Sequence, residues 1–152
     1  GQFLREVSYA VDLAQEISKD YGLSKAIYLI NEATRELLLR PMGIFEVVDY
    51  VGVTVCDSIM SVMQKAFPNE SFNNTLFSKW IQAGALGGQD TKGKTKNGIF
   101  KYESGQIVGV YNDTEYCKIE KLKFEGIETL SWKELKSDKS IKKTLNHLRF
   151  LA

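Results

Sequence analysis

The chain has few of the residues on which most active sites are built. Among its 152 residues there is one histidine, His147, and there are two cysteines, Cys56 and Cys117. A structural zinc site draws four ligands from that pool, so none is expected here. His147 has no Asp or Glu at helical spacing to orient it as a general base, so it reads as a surface residue and no catalytic residue is assigned. Two thiols are too few for a disulfide framework, and no signal peptide opens the sequence; reduced cysteines in a cytoplasmic protein are expected. An excess of charge is lacking too. Twenty basic residues face nineteen acidic ones, giving a formal net charge of +1, which predicts no nucleic-acid partner and no attraction to an anionic membrane. No apolar run approaches the ~20 residues of a membrane span.

What is present is helical periodicity. Phe3, Val7, Ala10, Ala14 and Ile17 predict a helix over about 3–19, ended by Gly22. Ser24 is placed to cap a second helix with the stripe Ile27, Ile30, Thr34 and Leu37. Pro41 suits the first turn of a third, in which Ile44, Phe45, Val47, Val48 and Val51 cover most of the circumference; Gly52 ends it and Thr54 caps the next. Val55, Ile59, Val62, Met63 and Ala66 form the stripe of a fourth helix, stopped by Pro68. Asn74 or Thr75 opens a fifth, with Leu76, Trp80, Ile81 and Ala83 on its apolar side. Residues 84–98 then read as a loop rich in Gly, Lys, Thr and Asn. Residues 99–102 and 106–111 flank Glu103-Ser104-Gly105 as a hairpin, and 116–122 alternates like a third strand. Two short helical patterns, 132–136 and 141–151, close the chain. The fold class is therefore mainly α, about five helices with a small β-hairpin appendage and a helical C-terminal tail. The opening Gly1-Gln2, without an initiator Met, suggests a piece of a longer protein.

The loudest motif is Gly88-Gln-Asp-Thr-Lys-Gly93-Lys94-Thr95, which satisfies the phosphate-loop consensus. That loop works between a buried strand and a helix, whose terminal N–H groups converge on phosphates. Here a helical pattern precedes it and a strand-like one follows, so the match reads as chance. Lys92, Lys94, Lys96 and Lys101 nevertheless form a local basic cluster. It is either a solvated loop or a contact for the phosphates of a small anion. Glu46 and Asp49 share one face of an otherwise apolar helix, where a structural role is expected; Cys56 reads as a small core residue.

Two blocks resemble one family. Pro41-Met-Gly-Ile-Phe-Glu-Val-Val-Asp-Tyr-Val-Gly-Val is similar to the signature of the C-terminal domain of L-3-hydroxyacyl-CoA dehydrogenases, where Pro-Met-Gly-Pro-Phe-Glu and then Asp-x-x-Gly-Leu-Asp are typical. Trp80-Ile-Gln-Ala-Gly-Ala-Leu-Gly followed by Lys94-Thr-Lys-Asn-Gly-Ile-Phe-Lys-Tyr102 is similar to its closing motif. Ile30-Asn31-Glu32-Ala33 stands where the family has Ile-Asp-x-Ala. The resemblance covers about residues 3–103, so the chain divides into a family-like domain, 1–103, and an extension, 104–152.

The resemblance implies a 6-phosphogluconate dehydrogenase C-terminal-like helical domain that forms a homodimer beside a missing Rossmann domain. In the family that domain binds NAD and carries the catalytic pair, which accounts for the want of a GxGxxG motif here. It further implies NAD as cofactor, bound mainly by the absent domain and contacted from this chain by Lys94. An acyl-CoA would be the substrate of the full-length enzyme, in β-oxidation or related metabolism, and this chain alone would be inactive. Leu4 stands in the place of a substrate-site asparagine, Ile44 replaces a proline, and residues 90–93 resemble an insertion. These departures keep an alternative open: a non-catalytic, degenerate copy that acts as a dimerisation or interdomain packing module.

Overall fold

In the computed structural model, residues 2–37, 40–112 and 114–122 are described. Five helices come first: α1 (Gln2–Tyr21), α2 (Leu23–Leu37), α3 (Ile44–Val51), α4 (Val53–Ala66) and α5 (Thr75–Gln82). A three-stranded antiparallel sheet follows, β1 (Phe100–Glu103), β2 (Gln106–Tyr111) and β3 (Tyr116–Lys118) in that spatial order, and then a single helical turn, α6 (Ile119–Leu122). The mainly α fold class is thus observed. The two C-terminal helical patterns and His147 lie outside the described residues.

The core gathers the predicted stripes of α1 and α2, with Val7, Ala10, Ala14, Ile27 and Ile30 buried, around α3 and the aromatic residues of α5. Trp80 meets Phe45 and Phe77 edge-on, with ring centroids 6.3 and 5.3 Å away. Phe77, which the predicted stripe left out, is fully buried.

Three helix starts differ from expectation, each because a backbone or distant group makes the cap. Gly22, at φ +83°, turns its N–H to the Ser18 carbonyl and accepts from Ala26 N–H, so it closes α1 and opens α2 in one residue. Ser24 does not cap; its hydroxyl faces Cys117 Sγ at 3.9 Å. Pro41 stands ahead of α3 rather than inside its first turn, since the helix starts at Ile44 after Gly43. Gly52, not Thr54, precedes α4, and its N–H closes α3 on the Val48 carbonyl at 2.8 Å.

The face of α4 is the largest departure. Val53, Cys56, Met60 and Met63 are buried, whereas Val55, Ile59 and Val62 are 49%, 42% and 65% exposed. Two apolar stripes share this helix, and the expected one, apart from Met63, faces outward. With Val51 it leaves an apolar strip on the surface, beside which Thr54, Ser58 and Ser61 are exposed and uncharged.

The hairpin forms as expected between β1 and β2. Its turn places Ser104 at φ +51° and Gly105 at +75°, the pair of positive values that matches strand twist in a two-residue loop. The third strand is shorter than its pattern, giving way to α6 at Ile119.

Candidate functional site

Two buried polar side chains, on neighbouring helices, organise the region around the glycine loop. Asn31 of α2 is fully buried. Its Oδ1 accepts the N–H groups of Phe45 and Glu46 at 3.1 and 3.0 Å, doing for α3 what an N-cap side chain does. Its Nδ2 donates to Glu46 Oε1 at 2.8 Å, which also accepts from Gly43 N–H at 3.1 Å. Thr34 adds an acceptor for Ile44 N–H at 2.9 Å. Gly43 is required by contact, because a Cβ there would overlap Asn31. The start of α3 is therefore held from α2, which is why Pro41 need not hold it.

Asp49 lies one turn further along and is also fully buried. Its carboxylate accepts from Ile99 N–H at 2.7 Å, Phe100 N–H at 2.9 Å and the Tyr102 hydroxyl at 2.7 Å. Its carbonyl accepts from Gly88 N–H at 2.7 Å. One residue thus grips both ends of the segment 88–100. Gly87 and Gly98 leave room for it: a Cβ on Gly87 would lie 2.7 Å from the Asp49 carbonyl oxygen, and one on Gly98 would overlap the carboxylate.

Between those ends the chain doubles back. Gln89 and Thr95 form a bridge, Gly87 N–H reaches the Asn97 carbonyl, and Lys96 N–H reaches the Gly88 carbonyl. At the tip Asp90 Oδ1 accepts the N–H groups of Lys92 and Lys94 at 2.8 and 3.0 Å, with Gly93 at φ +81°. A helix, α5, precedes this loop and a strand, β1, follows it, the reverse of a phosphate loop. The amides of Lys92 and Lys94 already serve a carboxylate of the chain itself. Residues 90–93, which resemble an insertion, are this tight turn.

The turn sets Lys94 and Thr95 at the edge of a cleft of about 520 Å³, lined also by Met42, Glu46, Tyr102 and the Ser104–Gly105 turn. Among the described residues no carboxylate lies within ion-pair distance of Lys94. Lys92, Lys96 and Lys101 do not line this cleft. Leu4, in the place of a substrate-site asparagine, is buried in the core, and Arg5 beside it pairs with Glu70 at 2.8 Å. Among the described residues no group of histidine, cysteine and carboxylate side chains is arranged to hold a metal ion.

Burial shifts the titration of this region. It pushes Asp49 up to about 7, against the pull of the Phe100, Tyr102 and Ile99 donors, with the Glu46 charge adding to the rise. Burial and the nearby Asp49 charge raise the Tyr102 hydroxyl as well, and Cys56 is pushed up to about 11 by the same two causes. A carboxyl whose folded pKa lies above its unfolded value of 3.8 binds its proton more tightly when folded. The proton-linked part of its contribution to stability is present in full below about pH 4 and is lost as pH rises to about 7. The stability difference between wild type and Asp49→Asn should therefore shrink over that interval in urea melts at stepped pH.

The family model for 3-hydroxyacyl-CoA dehydrogenase, C-terminal domain, matches residues 11–101. The chain belongs to this family. Neither the curated proteins nor the solved structures yield a match. The residues matched to the dehydrogenase domain run from the middle of α1 to β1, so they include Asn31, Glu46, Asp49 and Lys94, while β2, β3 and α6 lie beyond them. Sequence reading placed Lys94 at the site and left Asn31 without a role. Its signal was faint: a polar residue on the buried stripe of α2, next to Ile30 and one turn before Thr34.

Proposed function

We propose that the chain is the C-terminal helical domain of an NAD-dependent 3-hydroxyacyl-CoA dehydrogenase of acyl-CoA metabolism, and that it lends Lys94 and the surrounding cleft to the cofactor held mainly by a separate Rossmann domain. The observation that carries the reading is the placement of Lys94, which has no ion-pair partner among the described residues, with Thr95 in a cleft built from both family-like blocks. An ammonium, a half-buried threonine and the Tyr102 ring suit one part of a dinucleotide, with the cation facing a phosphate. When bound, NAD would supply the acceptor for the hydride on C3, the hydroxyl-bearing carbon of an acyl-CoA. This chain's residues would orient it and exclude water. The division at residue 103 into a family domain and an extension belongs to the same proposal, as does a cytoplasmic location. Among the described residues no helix is long and apolar enough to cross a membrane.

The test is steady-state kinetics. The purified chain should give no acetoacetyl-CoA-dependent NADH oxidation, since among its described residues no histidine–carboxylate pair exists to move the hydroxyl proton. Measurable turnover by the chain alone would contradict the reading.

A second reading, a degenerate copy serving dimerisation or packing against sister domains, is favoured by buried Leu4 and by the outward strip of α4. Val55, Ile59 and Val62 recur at i, i+4 and i+7, so one face of a second copy could lie along them. The same strip supports homodimerisation under the first reading. A strictly monomeric species in sedimentation across concentrations would count against a dimer in either.

A further inference from the structure

Beside Lys94 the cleft holds a second charged group, and its two carboxylate oxygens are treated differently. Glu46 Oε1 is fixed from below by Asn31 Nδ2 and by Gly43 N–H, at 2.8 and 3.1 Å. Oε2 has no hydrogen-bond or ion-pair partner among the described residues. It is not sealed away, because no buried side-chain oxygen or nitrogen among those residues lacks a partner. Glu46 lines the same cleft as Lys94, Thr95 and Tyr102.

One oxygen anchored by two donors holds the side chain in a single orientation before any ligand arrives, which lowers the entropy cost of using the other. Holding up α3 needs only Oε1. Among the described residues Oε2 is left as an acceptor without a partner, set in a cleft whose other charged group is a cation.

We propose that Glu46 is a ligand-facing residue of the Lys94 cleft, and that through Oε2 the site takes a molecule carrying a hydroxyl or amide donor beside its anionic group, in preference to a bare polyphosphate. This rests on the reading of the cleft given above. Lys94 attracts the anion. Glu46 accepts from the neighbouring donor and repels further negative charge, so the pair discriminates by the chemistry next to the phosphate rather than by the phosphate itself. A nucleotide ribose or a carboxamide has the required donor; inorganic pyrophosphate carries only the proton of its own phosphate groups and no separate donor group.

The test titrates the full chain, by two-dimensional NMR, with NAD as the donor-bearing probe and inorganic pyrophosphate as the bare anion. Wild type should bind NAD at least tenfold more tightly than pyrophosphate. Glu46→Gln keeps a carbonyl oxygen for Asn31 and Gly43 and removes the charge. It should weaken NAD about tenfold and strengthen pyrophosphate at least threefold, inverting the preference, with α3 amide shifts showing that the fold is kept. Glu46→Ala should show the same loss of preference. Lys94→Ala should weaken both probes. If Glu46→Gln leaves the ratio of the two affinities unchanged while Lys94→Ala weakens both, the role of Glu46 is overturned and that of Lys94 stands. If neither probe binds wild type in the millimolar range, or Lys94→Ala changes nothing, both are overturned.

Discussion

Replacing Asp49 by alanine should cost the protein about 4 kcal/mol. Three donors, the N–H groups of Ile99 and Phe100 and the Tyr102 hydroxyl, converge on a carboxylate that is fully buried. Alanine leaves all three without an acceptor, and each buried orphan costs on the order of 1–3 kcal/mol. Part of that sum is recovered because a buried carboxyl no longer has to be desolvated. Asp49→Asn should cost about half as much, since one oxygen still accepts while the amide meets an N–H or hydroxyl head-on. Urea denaturation gives the totals. Amide exchange locates them: Ile99 and Phe100 should lose protection in the asparagine variant while Val7 and Val11, in the α1 core, keep theirs. A loss spread evenly over the chain would mean that Asp49 supports the whole core and not the loop.

Asn31→Ala should be the next most damaging change to the site, at about 3 kcal/mol by the same measurement. It removes the acceptor for the Phe45 and Glu46 N–H groups and the donor to Glu46. Loss of a capping side chain alone is worth ~1 kcal/mol, and burial of the freed N–H groups adds to it. The damage should concentrate at the start of α3, since the C-terminal end of that helix is closed separately by Gly52. Asn31→Asp separates the two roles. It keeps the acceptor but sets a second carboxylate against Glu46, and the two repel each other once both are ionised. Its stability relative to wild type should therefore be highest at acid pH and fall as pH rises through the carboxylate range.

The periodic parts of the fold were legible because one face of each helix meets one core. Val7, Ala10, Ala14 and Ile17 of α1 and Ile27 and Ile30 of α2 are buried as their spacing predicts. Helix α4 was misread for a physical reason. Both Val53–Cys56–Met60–Met63 and Val55–Ile59–Val62 fit helical spacing, and a hydrophobic pattern cannot say which stripe the rest of the protein covers. Caps were misread because proline, serine and threonine signal locally, whereas the group that caps α3 lies on another helix, at Asn31. The same limit hid the clamp. Asp49 and Glu46 were legible as a pair on one face of a short helix. That one would grip Ile99 and Phe100, about fifty residues on, and the other would line the cleft of Lys94, required the folded chain. The phosphate-loop match failed for the reason its flanks gave: a helix before and a strand after.

Under this reading the glycines and the two acidic residues serve one end, to hold a lysine-bearing turn still at the rim of a cleft. Gly43 lets Asn31 approach α3, and Gly87 and Gly98 let Asp49 approach the loop.

The most direct measurement is an amide chemical-shift map of the chain titrated with NAD. The reading predicts that the largest shifts fall on Lys94, Thr95, Tyr102 and the Ser104–Gly105 turn, and that they disappear in Lys94→Ala. A second cleft, of about 410 Å³, lies on α5 between Leu76, Trp80 and Ala83 and the end of β2 at Tyr111. Shifts confined to that cleft, or none at all at millimolar NAD, would contradict it.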